Sequence, residues 1–148
     1  MTPLDRFRLD GHVAVVTGAG RGIGEGIARD FAAVGAKVVV AARRVEEIED
    51  VARAINDAGG EALAVPTDVT DQKALENLAQ TAVDSFGGLT DWINNAGGSP
   101  LRMPSRDLPR DEWHRTVALN LTAVYEGCLT AERYMDSGSI INITSGAG

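Results

Sequence analysis

A glycine-rich segment from Thr17 to Gly24 follows the apolar run at residues 12–16 and has the spacing G-x-G-x-G-x-G. A buried strand that leads into such a turn and then into a helix brings backbone N–H groups and a helix N-terminus up against a phosphate. One or two glycines satisfy a turn that needs only a positive φ angle, so the dense spacing indicates close approach by a ligand or a neighbouring helix. Although the spacing differs from G-x-G-x-x-G, the segment predicts a site for the pyrophosphate of a dinucleotide.

Arginines surround this predicted site. Arg43 and Arg44 follow the second apolar run, and Arg21 lies inside the glycine turn. An NAD site places a carboxylate near the end of the second strand, whereas an NADP site uses arginine for the 2′-phosphate. In this chain Ala42 occupies the position of that carboxylate. A charge-assisted hydrogen bond from an arginine to the 2′-phosphate contributes about 1.5–3 kcal/mol. NADP(H) is therefore the expected cofactor and NAD(H) the second option. The alternative is that Arg43 and Arg44 are solvated residues at a helix start.

Ser145 is a candidate for chemistry because it closes an apolar segment that begins near Ser139. At the carboxyl end of a strand, its hydroxyl can donate a hydrogen bond to a substrate oxygen that gains negative charge. The alternative is a turn residue ahead of the Gly-Ala-Gly that follows. Thr144 offers a competing hydroxyl, but neighbours along a strand point to opposite faces, so only one of the two can reach a substrate.

Asn120 lies in the longest helical pattern of the chain. Its neighbours form a stripe with helical spacing that is expected to face the core, namely Trp113, Val117, Leu121, Val124 and Cys128. A buried amide is costly unless it is hydrogen-bonded. Asn120 is therefore either a satisfied core residue or a functional one.

Short apolar runs alternate with helical patterns along the chain, which is typical of βαβ units and a parallel sheet. Helical spacing before glycines predicts helices that end near Gly35, Gly59 and Gly87, and a fourth from about Pro109 to about Met135. This pattern predicts a doubly wound α/β sheet in one domain, residues 1–148. The predicted strands are His12–Thr17, Lys37–Ala42, Glu61–Pro66, Leu89–Asn94 and Ser139–Thr144.

Four separated motifs resemble the short-chain dehydrogenase/reductase family, whose Rossmann-fold enzymes move hydride between NAD(P)(H) and an alcohol or carbonyl. The resemblance implies the strand order 3-2-1-4-5. The fixed positions of the family's T-G-x-x-x-G-x-G turn are matched by Thr17, Gly18, Gly22 and Gly24. The N-N-A-G motif is matched by Asn94, Asn95, Ala96 and Gly97, the asparagine of the long helix by Asn120, and the serine that closes the fifth strand by Ser145.

The resemblance assigns a role to each motif. Ser145 contacts the substrate oxygen, and Asn120 holds a water in the proton relay. Asn94 secures neighbouring strands, whereas the Ala96-Gly97 backbone lies against the cofactor ribose. Asp68 lies near the adenine, or is simply a helix cap beside Thr70. The expected cofactor contacts are Gly18, Gly20, Arg21, Gly22, Ile23, Gly24, Arg43, Arg44, Asp68, Val69, Asn95, Ala96 and Gly97.

The family's catalytic tyrosine, followed four residues later by a lysine, has no counterpart in this chain. The lysines are Lys37 and Lys73, and neither follows Tyr125 or Tyr134 at that spacing. A phenol with its ordinary pKa near 10 is a poor proton donor at neutral pH. We therefore expect the N-terminal part of a longer oxidoreductase, truncated after the fifth strand and inactive alone. The alternative is a non-catalytic dinucleotide-binding or regulatory module.

Composition narrows the class of protein and its partners. The chain has 148 residues, a net charge of −7 and one cysteine, Cys128, which is expected to be buried in the fourth helix. These features favour a cytoplasmic protein with no nucleic-acid partner, no membrane partner and no metal site. The family resemblance implies a small alcohol or ketone substrate, of the kind used by hydroxysteroid or ketoacyl reductases, and a homodimer or homotetramer.

Overall fold

The fold is built around a parallel five-stranded sheet. The computed structural model describes residues 3–98 and 103–145, and its sheet has the order β3-β2-β1-β4-β5. Every neighbouring pair is parallel, so the predicted topology is confirmed. The strands are β1 (Val13–Thr17), β2 (Lys37–Ala42), β3 (Glu61–Pro66), β4 (Asp91–Asn94) and β5 (Ser139–Asn142).

Helices cover both faces of the sheet. Successive residues of β1 face opposite sides: Ala14 and Val16 pack in the cluster of α1 and α2, whereas Val13 and Val15 pack in the cluster of α3 and α5. Both faces of the sheet are therefore buried, as a doubly wound sheet requires. The helices are α1 (Gly22–Ala33), α2 (Val45–Asp57), α3 (Gln72–Phe86), α4 (Arg110–Val117) and α5 (Ala123–Tyr134), with 3₁₀ turns at Pro3–Phe7 and Ser105–Asp107.

Three strands are shorter than predicted. β1 begins at Val13 rather than His12, β4 at Asp91 rather than Leu89, and β5 ends at Asn142 rather than Thr144. At the start of β4, the Thr90 hydroxyl accepts the Val13 N–H that a ladder carbonyl would otherwise take. At the end of β5, the last backbone bond runs from the Ile143 N–H to the Asn94 carbonyl, because β4 itself ends there.

The predicted fourth helix is interrupted. A π-helical turn, Ala118–Thr122, separates α4 from α5, and Pro109 caps α4 rather than lying within it. A π turn adds a residue per turn and shifts the phase of everything after it. The expected core stripe is wrong: Trp113, before the π turn, is 56% exposed, and Leu121, within it, is 66% exposed.

Small residues form the buried face of α5 instead, namely Ala123, Gly127, Thr130 and Ala131. A β-carbon at Gly127 would overlap the Asn94 side-chain oxygen, and it would lie 3.1 Å from the Trp92 indole nitrogen. The helix thus packs closely on β4 because Gly127 has no side chain. Cys128 is half-buried rather than fully buried.

Candidate functional site

A cleft of about 430 Å³ opens at the carboxyl ends of β1, β2 and β4. Every residue predicted to contact a dinucleotide lies on its wall. This is the edge at which open α/β sheets bind ligands. Four further residues line it that the sequence analysis had not singled out as contacts, namely Ala42, Glu47, Thr67 and Leu119.

The glycine turn is fastened to the end of β4 by Thr17 and Asn95. The buried Thr17 hydroxyl donates to the Ile93 carbonyl and accepts the backbone N–H groups of Asn95 and Ala96 at 3.0 and 3.1 Å. The Asn95 side-chain amide donates to the carbonyls of Thr17 and Gly18 at 2.9 and 3.2 Å. The Thr17 hydroxyl and the Asn95 amide therefore fix the glycine turn relative to the end of β4 without a ligand.

The glycines of the turn allow three backbone segments to meet. A β-carbon at Gly18, whose φ angle is +64°, would lie 2.8 Å from the Ala96 Cα. A β-carbon at Gly24 would overlap the Gly18 carbonyl oxygen and lie 2.5 Å from the Asn95 amide nitrogen. Only glycine fits at either position, so α1 begins directly beneath the turn. The first N–H groups of a helix lack intrahelical partners and are available to an anion.

Three arginines line one end of the cleft, but they differ in their engagement. Arg21 caps α1 and makes no side-chain capping bond. Arg44 caps α2 and donates to the Glu47 carboxylate at 2.5 Å. This hydrogen bond and the charge of Glu47 raise the pKa of Arg44 above its usual value. Among the described residues, the Arg21 and Arg43 side chains make no hydrogen bond or ion pair, although the charge of Arg43 acts on Asp68.

Asp68 lies on the cleft wall and caps a turn, but it is not the helix cap that the sequence analysis gave as the alternative. Its carboxylate accepts the Thr70 hydroxyl at 2.7 Å and the Thr70 backbone N–H at 2.9 Å. These bonds, with a smaller contribution from the charge of Arg43, hold the pKa of Asp68 below its usual value. The cleft therefore keeps a charged acceptor here well into the acidic range. The cap of α3 is a different residue, Asp71.

Asn94 ties the cleft to the fifth strand. Its side-chain oxygen accepts the buried Trp92 indole N–H at 2.7 Å. Its amide donates to the Asn142 side chain at 2.9 Å and to the Val124 carbonyl at 3.4 Å. Asn94 thus joins β4, β5 and α5, in agreement with the role in securing strands that the sequence resemblance implied.

Asn120 lies outside the cleft wall and is exposed. Its side chain forms a reciprocal pair with the Gly98 backbone: the oxygen accepts the Gly98 N–H at 2.9 Å, and the amide donates to the Gly98 carbonyl at 2.8 Å. The amide also donates to the Thr116 carbonyl at 2.9 Å. Asn120 is therefore a satisfied residue, but it is not in the core. It attaches the π turn to the segment that leaves β4.

Ser145 is exposed and lies three residues beyond the end of β5. Because Asn142 pairs with Asn94 at the ends of β5 and β4, the chain runs from β5 to Ser145 at the carboxyl edge of the sheet, where the cleft also lies. It is not among the residues that line the cleft.

Glu47 and Thr67 could have been found in the sequence. Glu47 stands three residues after Arg44 in the first turn of a predicted helix, a spacing at which opposite charges meet. Thr67 lies between the end of β3 and Asp68. Leu119 carried no such signal, because the π turn that brings it to the cleft breaks the helical count.

The short chain dehydrogenase family matches residues 12–148. The chain belongs to this family.

Two curated family members illustrate the similarity. The chain is 41% identical over 142 residues to 3beta-hydroxysteroid dehydrogenase 1 of Eggerthella lenta, covering 93% of this chain and 54% of that protein. It is 42% identical over 136 residues to cis-4-hydroxycyclohexanecarboxylate dehydrogenase of Sinomonas cyclohexanicum, covering 90% and 54%. The chain thus spans about half the length of these curated relatives.

Solved structures of short-chain dehydrogenases superpose closely. A short-chain dehydrogenase/reductase from Mycobacterium marinum has a TM-score of 0.93 at 34% identity, covering 98% of this chain and 60% of that one. A 7 alpha-hydroxysteroid dehydrogenase complexed with NADH and 7-oxo glycochenodeoxycholic acid has a TM-score of 0.92 at 36% identity, covering 98% and 57%. A metagenomic short-chain oxidoreductase in complex with NADP has a TM-score of 0.87 at 39% identity, covering 94% and 64%.

Residues 3–98 and 103–145 lack two features, a membrane-spanning helix and a cluster of metal ligands. None of the helices there is long and apolar enough to cross a membrane. Within the same ranges, no three His, Cys, Asp or Glu residues are grouped as a metal site would need.

Proposed function

We propose that the full-length protein is an NADP(H)-dependent oxidoreductase that interconverts a secondary alcohol and its ketone. The observation that carries this proposal is the cleft itself. It combines the glycine turn and the α1 N-terminus with Arg21 and Arg43, and it has Ala42 where an NAD site has a carboxylate. The substrate class is supported by the names of two relatives, which are dehydrogenases of a hydroxysteroid and of a hydroxycyclohexane carboxylate.

The residues present fit a dinucleotide. The turn at Gly18 and Gly24 is a cradle that any β-carbon would fill, and the N-terminus of α1 lies against it. The cleft is of the size common for cofactor sites. In this proposal the glycine turn and Arg21 hold the pyrophosphate. Arg43 and Arg44 bind the 2′-phosphate. Asp68 and Val69 lie beside the adenine. The nicotinamide ribose lies along Asn95, Ala96 and Gly97.

A bound nicotinamide would supply the hydride, and Ser145 would act on the substrate. Its hydroxyl donates a hydrogen bond to the substrate oxygen and stabilises the negative charge that develops there. Asn120 is assigned as the holder of a relay water that the resemblance implies. Both hydrogens of its amide are used by the Gly98 and Thr116 carbonyls, so it also positions the Gly98 backbone, next to Gly97 on the cleft wall.

Residues 1–148 alone are proposed to be inactive. Ser145 and Asn120 are present, but no tyrosine is followed four residues later by the lysine that would lower its pKa. Assays of the isolated chain with NADPH and ketones should show no turnover above the blank. NADPH oxidation that rises in proportion to protein concentration would disprove this.

The cofactor proposal is tested by Arg43→Ala in the full-length protein, with NADPH and NADH affinities measured by fluorescence titration. NADPH should bind about tenfold more weakly or worse, whereas NADH should be nearly unchanged, because only the 2′-phosphate loses a partner. Arg53→Ala is the matched control, since Arg53 pairs with Asp50 on α2 and does not line the cleft. Equal losses for both cofactors would show that Arg43 is structural.

A cytoplasmic homo-oligomer completes the proposal. Cys128 is a free cysteine, as is common in reducing compartments. Large apolar side chains are exposed along α4, the π turn and α5, namely Trp113, Leu121 and Tyr125, and such a surface suits an interface between subunits. Light scattering should report a dimer or tetramer, and Leu121→Lys should shift it toward the monomer. A wild-type monomer would contradict this part.

A further inference from the structure

Glu47 is an acidic residue on the wall of a cleft that is proposed to bind a phosphate. It belongs to the first turn of α2, and it lies at the end of the cleft where Arg43 and Arg44 are found. A carboxylate beside an anion site is unfavourable by its charge alone. Its presence therefore needs a reason in the contacts that it makes.

The Glu47 side chain lies between Arg44 and the glycine turn. One carboxylate oxygen accepts the Arg44 guanidinium at 2.5 Å. The other would lie 2.9 Å from a β-carbon at Gly20, and the Glu47 β-carbon would lie 3.0 Å from it. The missing side chain of Gly20 thus leaves the room that the carboxylate occupies. Glu47 is also the less exposed partner, at 31% against 67% for Arg44.

The pair leaves the three arginines of the cleft unequal. Arg44 is held by Glu47, and the rise in the Arg44 pKa has that hydrogen bond as its largest cause. Within the described residues, the Arg21 and Arg43 guanidinium groups make no hydrogen bond or ion pair, and Arg43 feels only the more distant charge of Asp68. A 2′-phosphate can therefore engage Arg43 directly, but it can engage Arg44 only by taking the guanidinium from Glu47.

We infer that Glu47 is a positioning residue that competes with the cofactor's 2′-phosphate for Arg44 and so limits the preference for NADP(H) over NAD(H). This inference rests on the proposed NADP(H)-dependent function. Exchange of one partner for the other is feasible because an exposed ion pair contributes little net stability. Relief of the competition should increase the affinity for NADPH and leave NADH, which lacks the 2′-phosphate, unaffected.

The test is Glu47→Gln in the full-length protein, with the dissociation constants of NADPH and NADH measured by fluorescence titration at low ionic strength. NADPH should bind about three- to tenfold more tightly, and NADH should change by less than about twofold. Glu46→Gln is the matched control. It removes the same charge from the same helical turn, but Glu46 does not line the cleft, and it should change neither constant.

The route through Arg44 is tested by repeating the substitution in an Arg44→Ala background. The gain for NADPH should then fall below about twofold, because the contested guanidinium is gone. Three results would overturn the inference: an unchanged NADPH-to-NADH ratio in folded Glu47→Gln, weaker NADPH binding, or an equal gain without Arg44. A wild-type protein that prefers NADH would instead refute the proposed function, so the two failures are distinguishable. Melting temperatures of all variants confirm folding.

Discussion

The two sides of the sheet differ in how firmly they hold the residues proposed for function. On the cofactor side, meaning the side proposed to bind the cofactor, every residue of β1 is buried, and Thr17 and Asn95 fix the glycine turn through five hydrogen bonds. On the substrate side, meaning the side proposed to act on the substrate, every residue of β5 is exposed, and Ser145 lies beyond the strand. Within residues 1–148 the glycine turn is therefore fixed by hydrogen bonds, whereas Ser145 follows an exposed edge strand.

The largest expected effect is on the substrate side. In the full-length protein, Ser145→Ala should lower kcat and kcat/KM together by about a hundredfold or more, since the lost hydrogen bond strengthens as charge develops on the substrate oxygen. NADPH affinity and melting temperature should barely change. Thr144→Ala is the control, because it removes the competing hydroxyl one residue earlier in the chain. Retained turnover with lost stability would show that Ser145 is a turn residue.

On the cofactor side, Gly24→Ala should reduce both binding and stability. The added β-carbon would overlap the Gly18 carbonyl, so backbone must move, at a cost of about 1–3 kcal/mol. NADPH affinity should fall about tenfold or more because the cradle opens. Gly26→Ala, two residues along the same helix, meets nothing within 4 Å and should be neutral or slightly stabilising. Chemical denaturation and cofactor titration compare the two variants, and equal behaviour would refute the close-packing argument.

The link between the two sides is Asn94. Asn94→Ala should lower the free energy of unfolding by about 1–3 kcal/mol, because the buried Trp92 indole N–H loses its acceptor. Asn77→Ala, at an exposed position of α3, should change stability by less than about 0.5 kcal/mol. Urea unfolding measures both. If Asn94→Ala is as stable as wild type, the packing of β5 and α5 on β4 does not depend on Asn94.

The smallest expected effect concerns pH. The Thr70 bonds keep the Asp68 pKa below its reference value of 3.8, so Asp68 stabilises the fold above that value and loses its contribution as pH falls through the lower folded pKa. Thr70→Val should raise the Asp68 pKa toward 3.8, as measured by a carboxyl NMR titration. The stability gap between wild type and Asp68→Asn should close in acid. A gap that widens there would reverse the assigned sign.

The cofactor side was predictable because its geometry is determined by backbone and chain order. The glycine spacing after the first strand predicts the turn at Gly18 directly. Asp68 and Gly97 were expected at the same site from the family resemblance, and all three residues line the cleft.

The region around Asn120 was not predictable in the same way. Its apolar stripe was counted on a continuous α-helix, but the π turn changes the phase, and Gly127 rather than a large side chain packs on β4. Glu47 was not predicted, although its spacing of three residues from Arg44 brings the two charges together on one helix.

The burial of Trp92 has a practical consequence for spectroscopy. Trp92 is fully buried, whereas Trp113 is 56% exposed, so the two indoles should emit at different wavelengths. Replacement of Trp113 by phenylalanine would leave one native fluorophore whose N–H is bonded to Asn94. Because Asn94 also bonds to α5 and β5, the emission wavelength of Trp92 should change when these elements pack onto β4 during folding. No added label is needed.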